Sequence, residues 1–189
     1  MENEVLTGGK LEKVLAALDA NWQAEMEGHW TYQTLADRDS DPVRAQVLRH
    51  LAGAEWEHAA LWAGRIRELN GPEPVYRGSE HGDADSLANR AGGIQMALRR
   101  LEIDESRDIA KYGEQLKELG DTGSIAILNH VIEDEKDHYQ ELGSLLRGHY
   151  PASVSSPKPD IKAALKELLA KSDQGRKRPG AGSVMPSMA

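Results

Sequence analysis

The chain has 189 residues, which suits one domain on a single hydrophobic core with a tail, since such a core serves about 100 to 200 residues. Its 23 basic and 31 acidic residues leave a net charge of −8, which excludes neither enzyme nor carrier but argues against nucleic acid and anionic membrane surfaces as partners. With no cysteine there is no disulfide and no thiolate metal site, so a bound metal must be held by oxygen and nitrogen.

Residues 1–13, MENEVLTGGKLEK, are charged and lack an apolar signal core, and no run of about 18 apolar residues follows. A cytoplasmic chain with no membrane insertion is the expectation. The first helical stretch carries Leu11, Leu15, Leu18, Trp22, Glu25, His29, Tyr32 and Ala36 at alternating steps of four and three. Asp41 as N-cap and Pro42 at the first helical position open the second stretch, whose stripe is Leu48, Leu51, Glu55, His58, Trp62 and Leu69. Asn70, Gly71 and Pro72 end it, and the polar loop PEPVYRGSEHGDAD follows.

The third helix is expected from Asp85 or Ser86, with Leu87, Ile94, Leu98, Leu101, Glu105, Tyr112 and Leu116 on its stripe. Gly120 closes it, and Asp121 or Thr122 caps a fourth that carries Ile125, Leu128, Ile132, Glu135, His138 and Leu142 before Gly148 and Pro151. The expected fold is therefore an all-α four-helix bundle over residues 1–150, made of two antiparallel helix pairs. The loop between them, at about 3.3 Å per residue, spans roughly 50 Å, enough to run the whole bundle. Residues 151–189 read as a linker, a short helix with Ile161, Leu165, Leu168 and Leu169 on one side, and a disordered or partner-docking tail.

The polar residues on these apolar stripes repeat. Glu25 and Glu105, Tyr32 and Tyr112, Glu55 and Glu135, and His58 and His138 are each separated by 80 residues, as are His50 and His130. One Glu-x-x-His arises readily by chance; two in core register, each thirty residues beyond a Glu with a Tyr seven after it, do not. Glu and His three apart share a helical face and can reach one point in the bundle interior. Four glutamates buried there would repel one another and take up protons unless cations cancelled them. Two divalent cations do so, and a ligand set of Glu25, Glu55, His58, Glu105, Glu135 and His138 suits iron or manganese. Tyr32 and Tyr112 are placed to hydrogen-bond the ligating carboxylates. Gly28 leaves room beside Glu25, His29 reads as a packing histidine near it, and Glu57, Glu133 and Asp137 point off the stripe.

Over residues 10–148 these motifs, EMEGHWTY, EWEH, ESRDIAKY and EKDH, resemble the ferritin-like diiron carboxylate proteins, chiefly the rubrerythrin and bacterioferritin branches. The resemblance implies two Fe ions bridged by Glu55 and Glu135, with Glu25 and Glu105 terminal and one His on each iron. It implies oxidation of Fe(II) by hydrogen peroxide or dioxygen, as peroxidase or ferroxidase, in oxidative-stress defence and iron homeostasis. Iron storage or handling, and a dimanganese catalase-like centre, are the alternatives it leaves. A homodimer or larger homo-oligomer is expected, and a protein partner or shell is a candidate for the tail. Rubrerythrins also add a glutamate on the third helix, to which one iron moves; the candidates are Glu102 and Asp108, three residues either side of Glu105. They commonly carry a cysteine-ligated iron domain too, and its absence leaves an external electron donor or ferrous iron as reductant.

Overall fold

A computed structural model of the chain describes residues 8–86 and 93–149. Four long helices, α1 (Gly8–Arg38), α2 (Pro42–Glu68), α3 (Ile94–Glu118) and α4 (Thr122–Leu146), make up most of it, and no strand occurs among the described residues. The fold is the expected ferritin-like bundle. Leu87 and the C-terminal helix and tail expected at 151–189 lie outside the described residues. No described helix is long and apolar enough to cross a membrane.

Local chemistry sets most of the helix ends. The Asp41 carboxylate accepts from the amides of Val43 and Arg44 at 3.0 and 3.1 Å, and Pro42 needs no partner for an amide it lacks. At the other end of α2, Asn70 adopts φ 57° and lets its amide reach Arg67 O (3.0 Å) and that of Gly71 reach Ile66 O (2.8 Å). Gly148, at φ 71°, closes α4 in the same way, with bonds to Leu145 O and from His149 to Ser144 O.

Helix α3 begins later than its sequence suggests. Residues 84–86 are helical, and Gly93, at φ 127°, caps the main helix without a side-chain bond. The two expected short turns, 39–41 and 119–121, make α1 and α2, and α3 and α4, antiparallel neighbours. The register between halves follows from side chains: Asn21 and Gln115 exchange two amide bonds of 2.7 and 2.9 Å, while Ile94 and Ala97 lie with Leu35 around one cleft. So α3 runs antiparallel to α1, and the crossover joins the parallel pair α2 and α3.

The crossover ascends along α1. Arg77 pairs with Asp19 (2.7 Å), Gln23 donates to Val75 O (2.8 Å), Tyr76 donates to Glu27, the Asp83 amide donates to Thr31 Oγ1 (2.8 Å), and Arg38 pairs with Asp85. This explains where the expected stripe of α1 departs from the buried one, which keeps Leu18, Glu25, Tyr32 and Ala36 but is rotated by about 50°. Its buried line is Val14, Leu18, Asn21, Glu25, Tyr32 and Leu35, whereas Leu11, Leu15, Trp22 and His29 are half-buried. Leu15 sits under Gly71, Trp22 meets the Tyr76 ring edge-on at 6.4 Å, and His29 Nδ1 donates to Ala52 O at 2.7 Å. Leu15, Trp22 and His29 thus face the crossover and α2 rather than the centre.

An apolar cluster including Leu35, Leu48, Leu51, Leu98, Leu101 and Leu142 fills one end of the bundle. Leu18, Trp62, Ile66, Ile127 and Leu128 are buried toward the other. That end is tied by Arg65, whose guanidinium forks onto both oxygens of Asp121 (3.0 and 2.7 Å), while Asp121 Oδ2 also accepts the Ser124 amide at 2.9 Å. Gly123 admits the fork, since a Cβ there would lie 2.5 Å from Arg65 Cζ. Asp121→Ala removes an N-cap and a part-buried charged pair together, a loss of roughly 2–3 kcal/mol. Urea unfolding of the metal-free protein should show that loss, against less than about 0.5 kcal/mol for Glu114→Ala on the exposed face of α3.

Candidate metal centre

Between the two apolar ends lies a polar layer to which each helix contributes. Glu25 comes from α1, Glu55 and His58 from α2, Glu105 from α3, Glu135 and His138 from α4. All six are buried, between 1% and 6% exposed. The i, i+3 spacing of each Glu–His pair aims both side chains at the axis.

Ligand atoms of Glu25, Glu55, His58 and Glu135 all lie within 4.8 Å of one another, and so do those of Glu55, Glu105, Glu135 and His138. Glu55 and Glu135 thus belong to both groups, and each group adds one further Glu and one His. His58 Nδ1 stands 3.4 Å from Glu25 Oε2 and 3.3 Å from Glu135 Oε1; His138 Nδ1 stands 3.2 Å from Glu135 Oε2 and 3.3 Å from Glu55 Oε1. The imidazole rings stack at 5.6 Å. Even so, Glu55 Oε1 and His58 Nδ1 have no aligned hydrogen-bond partner. Buried polar atoms are rarely left so, and a donor set of hard oxygens and imidazole nitrogens fits two first-row divalent cations.

The tyrosines cross between halves: Tyr32 on α1 donates to Glu105 on α3, and Tyr112 on α3 donates to Glu25 on α1 at 2.5 Å. Burial, with the charge of the neighbouring glutamates, pushes both phenols well above their ordinary pKa, so they remain donors. Gly28 faces the centre, where a Cβ would come 3.0 Å from Glu55 Oε2.

Three contacts have no counterpart in the sequence reading. Trp62 Nε1 donates to Glu25 Oε1 (3.0 Å), and His58 Nε2 donates to Asp134 Oδ2 (3.3 Å), which His130 Nε2 also approaches at 3.4 Å. Asp134 therefore fixes the ring of His58 with Nδ1 turned inward. The 80-residue equivalents of Trp62 and Asp134 are Leu142 and Ala54, so these supports serve the Glu25–His58 half alone. The Asn21–Gln115 pair is the third. An acid directly before a core Glu, with a His one turn earlier, is the signal that would have marked Asp134. Of the two further ligand candidates, Glu102 faces Gly143 and Arg147 near the end of α4 and belongs to neither group. Asp108 is outside both groups as well, but lines the cavity that opens on the centre.

Burial opposes every charge here. It dominates for Glu55 and Glu105, where the charge of Glu135 adds to it, and holds both well above the ordinary carboxylate range. For Glu25 burial is outweighed by the bond and charge of His58, and for Glu135 by bonds from Glu105, His138 and His58, so both fall below that range. Burial pulls His58 and His138 down, but bonds to Asp134, Glu135 and Glu25 in the first case, and to Glu135 in the second, raise both. In the metal-free centre the two imidazoles, Glu55 and Glu105 thus hold protons more firmly than they would in water, and divalent cations would compete for the same place.

Comparison with known proteins agrees with the geometry. A bundle with one Glu on each of two helices and Glu-x-x-His on the others defines the ferritin-like diiron class. Residues 16–146 match the rubrerythrin family, and the chain belongs to it. It is also similar to the 3-demethoxyubiquinol 3-hydroxylase of Laribacter hongkongensis, with 30% identity over 150 residues, 76% of this chain and 73% of that protein.

Two outcomes follow for the centre. Above the unfolded values of 4.5 for Glu and 6.5 for His, the native metal-free chain keeps protons that the unfolded chain has released. Stability then falls as pH rises. Glu25 and Glu135, being depressed, act oppositely but only at and below 4.5. The melting temperature of metal-free protein should drop from pH 5.5 to pH 8, by about 2–4 °C per kcal/mol, and added Mn(II) should raise it most at pH 8. Separately, Gly28→Ala should weaken Mn(II) affinity about tenfold or more by displacing Glu55, as read by calorimetric titration.

Proposed function

We propose that Glu25, Glu55, His58, Glu105, Glu135 and His138 hold two iron ions, with Glu55 and Glu135 bridging, and that the protein is a non-haem diiron oxidoreductase reducing hydrogen peroxide at the expense of ferrous iron. What supports this most is the pair of overlapping four-residue ligand groups that share Glu55 and Glu135 and enclose two buried, unpartnered ligand atoms. When bound, the metal pair supplies two one-electron carriers side by side. Two iron ions held there would supply the two electrons that, with two protons, turn one peroxide into two waters.

The chain's own residues prepare the centre. Tyr32 and Tyr112 pin the carboxylates of Glu105 and Glu25 from opposite helices, so the terminal acids keep their orientation when charge changes. Trp62 holds the second lone-pair face of Glu25, and Asp134 keeps the proton of His58 on Nε2. The apolar ends exclude bulk water, which strengthens each of these bonds.

The likeness to a protein named as a hydroxylase supports a second reading, in which dioxygen is the oxidant and an organic molecule is hydroxylated. Stopped-flow mixing of the reduced, iron-loaded protein separates them. Reaction with peroxide should outpace that with dioxygen by at least about tenfold, with about two irons per chain and a near-ultraviolet charge-transfer band after oxidation. A Glu55→Ala, Glu135→Ala double variant should lose both the irons and the band; keeping them would refute the ligand assignment.

A further inference from the structure

The two halves of the centre offer matching ligands but not matching supports. Glu25 Oε1 accepts from two donors, the Tyr112 phenol at 2.5 Å and the Trp62 indole at 3.0 Å. Its other oxygen, Oε2, is left turned to His58 Nδ1 at 3.4 Å. The His58 ring is held from behind: Nε2 donates to Asp134 Oδ2 at 3.3 Å, and His130 Nε2 approaches that same oxygen at 3.4 Å. His58 Nδ1 has no aligned hydrogen-bond partner of its own. Both inward ligand atoms of this half, Glu25 Oε2 and His58 Nδ1, are thereby set before a metal arrives.

The other half is less braced. Glu105 has the Tyr32 bond, but the position equivalent to Trp62 is Leu142, a buried residue of the apolar cluster with no polar hydrogen to donate. The position equivalent to Asp134 is Ala54. Among the described residues the polar contacts of His138 are all at Nδ1, to Glu135 at 3.2 Å and Glu55 at 3.3 Å, the two acids common to both ligand groups. A carboxylate behind a ligating imidazole fixes the ring and raises its basicity, and losing such a partner costs about 10–100-fold in metal affinity. Ligands oriented in advance also lose less side-chain freedom on binding.

Resting on the diiron reading above, we propose that Asp134 and Trp62 are positioning residues that make the two metal positions unequal, so that the Glu25–His58 position fills first and keeps its metal while the Glu105–His138 position fills second and exchanges. Glu55 and Glu135 belong to both positions, so the first cation takes up part of the charge that the second would meet. That sharing would separate two binding steps even in a symmetric centre. Which half leads is set instead by residues that only one half carries. At limiting supply the chain then holds one metal at a defined place rather than a mixture of two.

Calorimetric titration of metal-free, full-length protein with Mn(II), followed in parallel by electron paramagnetic resonance, tests this. Wild type should bind in two steps, showing the sharp spectrum of isolated Mn(II) after the first and its loss to coupling after the second. His138→Ala should leave the first step within about twofold of wild type, whereas His58→Ala should weaken it about tenfold. Asp134→Ala should weaken the first step about fivefold or more and the second by less than about twofold. Trp62→Phe keeps a ring and removes the N–H, and should act in the same direction. A general loosening of the bundle would weaken both steps alike. Equal losses in the two histidine variants, or a first step unchanged in both Asp134→Ala and Trp62→Phe protein, would overturn the unequal positions. Wild-type protein that saturates with a single Mn(II) would remove the metal-centre reading and this inference with it, a result distinct from either.

Discussion

Everything in this bundle answers to one constraint: four carboxylates are buried together on its axis. Isolated, each would carry a desolvation cost that no local packing offsets. The helices therefore bring the counter-chemistry with them, as two imidazoles, two phenols and an indole N–H, each within bonding reach of a particular glutamate. The apolar ends can be ordinary leucine packing because the polar side chains are gathered into one layer in the middle.

The same constraint divides the four acids into unlike pairs. Glu25 and Glu135, next to imidazoles, are held as anions, while Glu55 and Glu105 are held as acids. Protons and divalent cations are then alternative occupants of one charge deficit. An interior of this kind is unusual in being tolerable either way, and that tolerance would suit the redox-active metal pair proposed for it. The unequal supports of the two halves, Trp62 and Asp134 against Leu142 and Ala54, give the two metal positions different surroundings even though their ligands match.

The fold and the six buried residues of the centre were legible because burying an ionisable side chain on an apolar stripe is costly and therefore conspicuous, and because the pattern occurs twice. Caps were legible for a related reason: Asp41–Pro42 and Asp121 act within a few residues of chain. What escaped depends on partners distant in sequence. The rotation of the α1 stripe comes from the crossover lying on Leu15 and Trp22, and periodicity alone does not reveal a second neighbour. Asp134 drew no notice because its partner, His58, is 76 residues away. The late start of α3 turns on the φ of Gly93, one conformation among several that glycine adopts freely. Glu102, plausible by spacing, faces Gly143 and Arg147 because three residues back from Glu105 is also the edge that meets α4.

The crossing of the tyrosines bears on how such a chain can have arisen. Each hairpin, α1–α2 or α3–α4, carries a Glu, a Tyr, a second Glu and a His, yet each Tyr serves the Glu of the other hairpin. A single hairpin is thus chemically incomplete, whereas two copies of one hairpin, placed about a twofold axis, would complete each other. The crossover is then a covalent tether added to an association that the polar layer already specifies. The halves are nonetheless not identical: at matching positions one carries Gly28, packed against Glu55, and the other Asp108, and both face the same cavity.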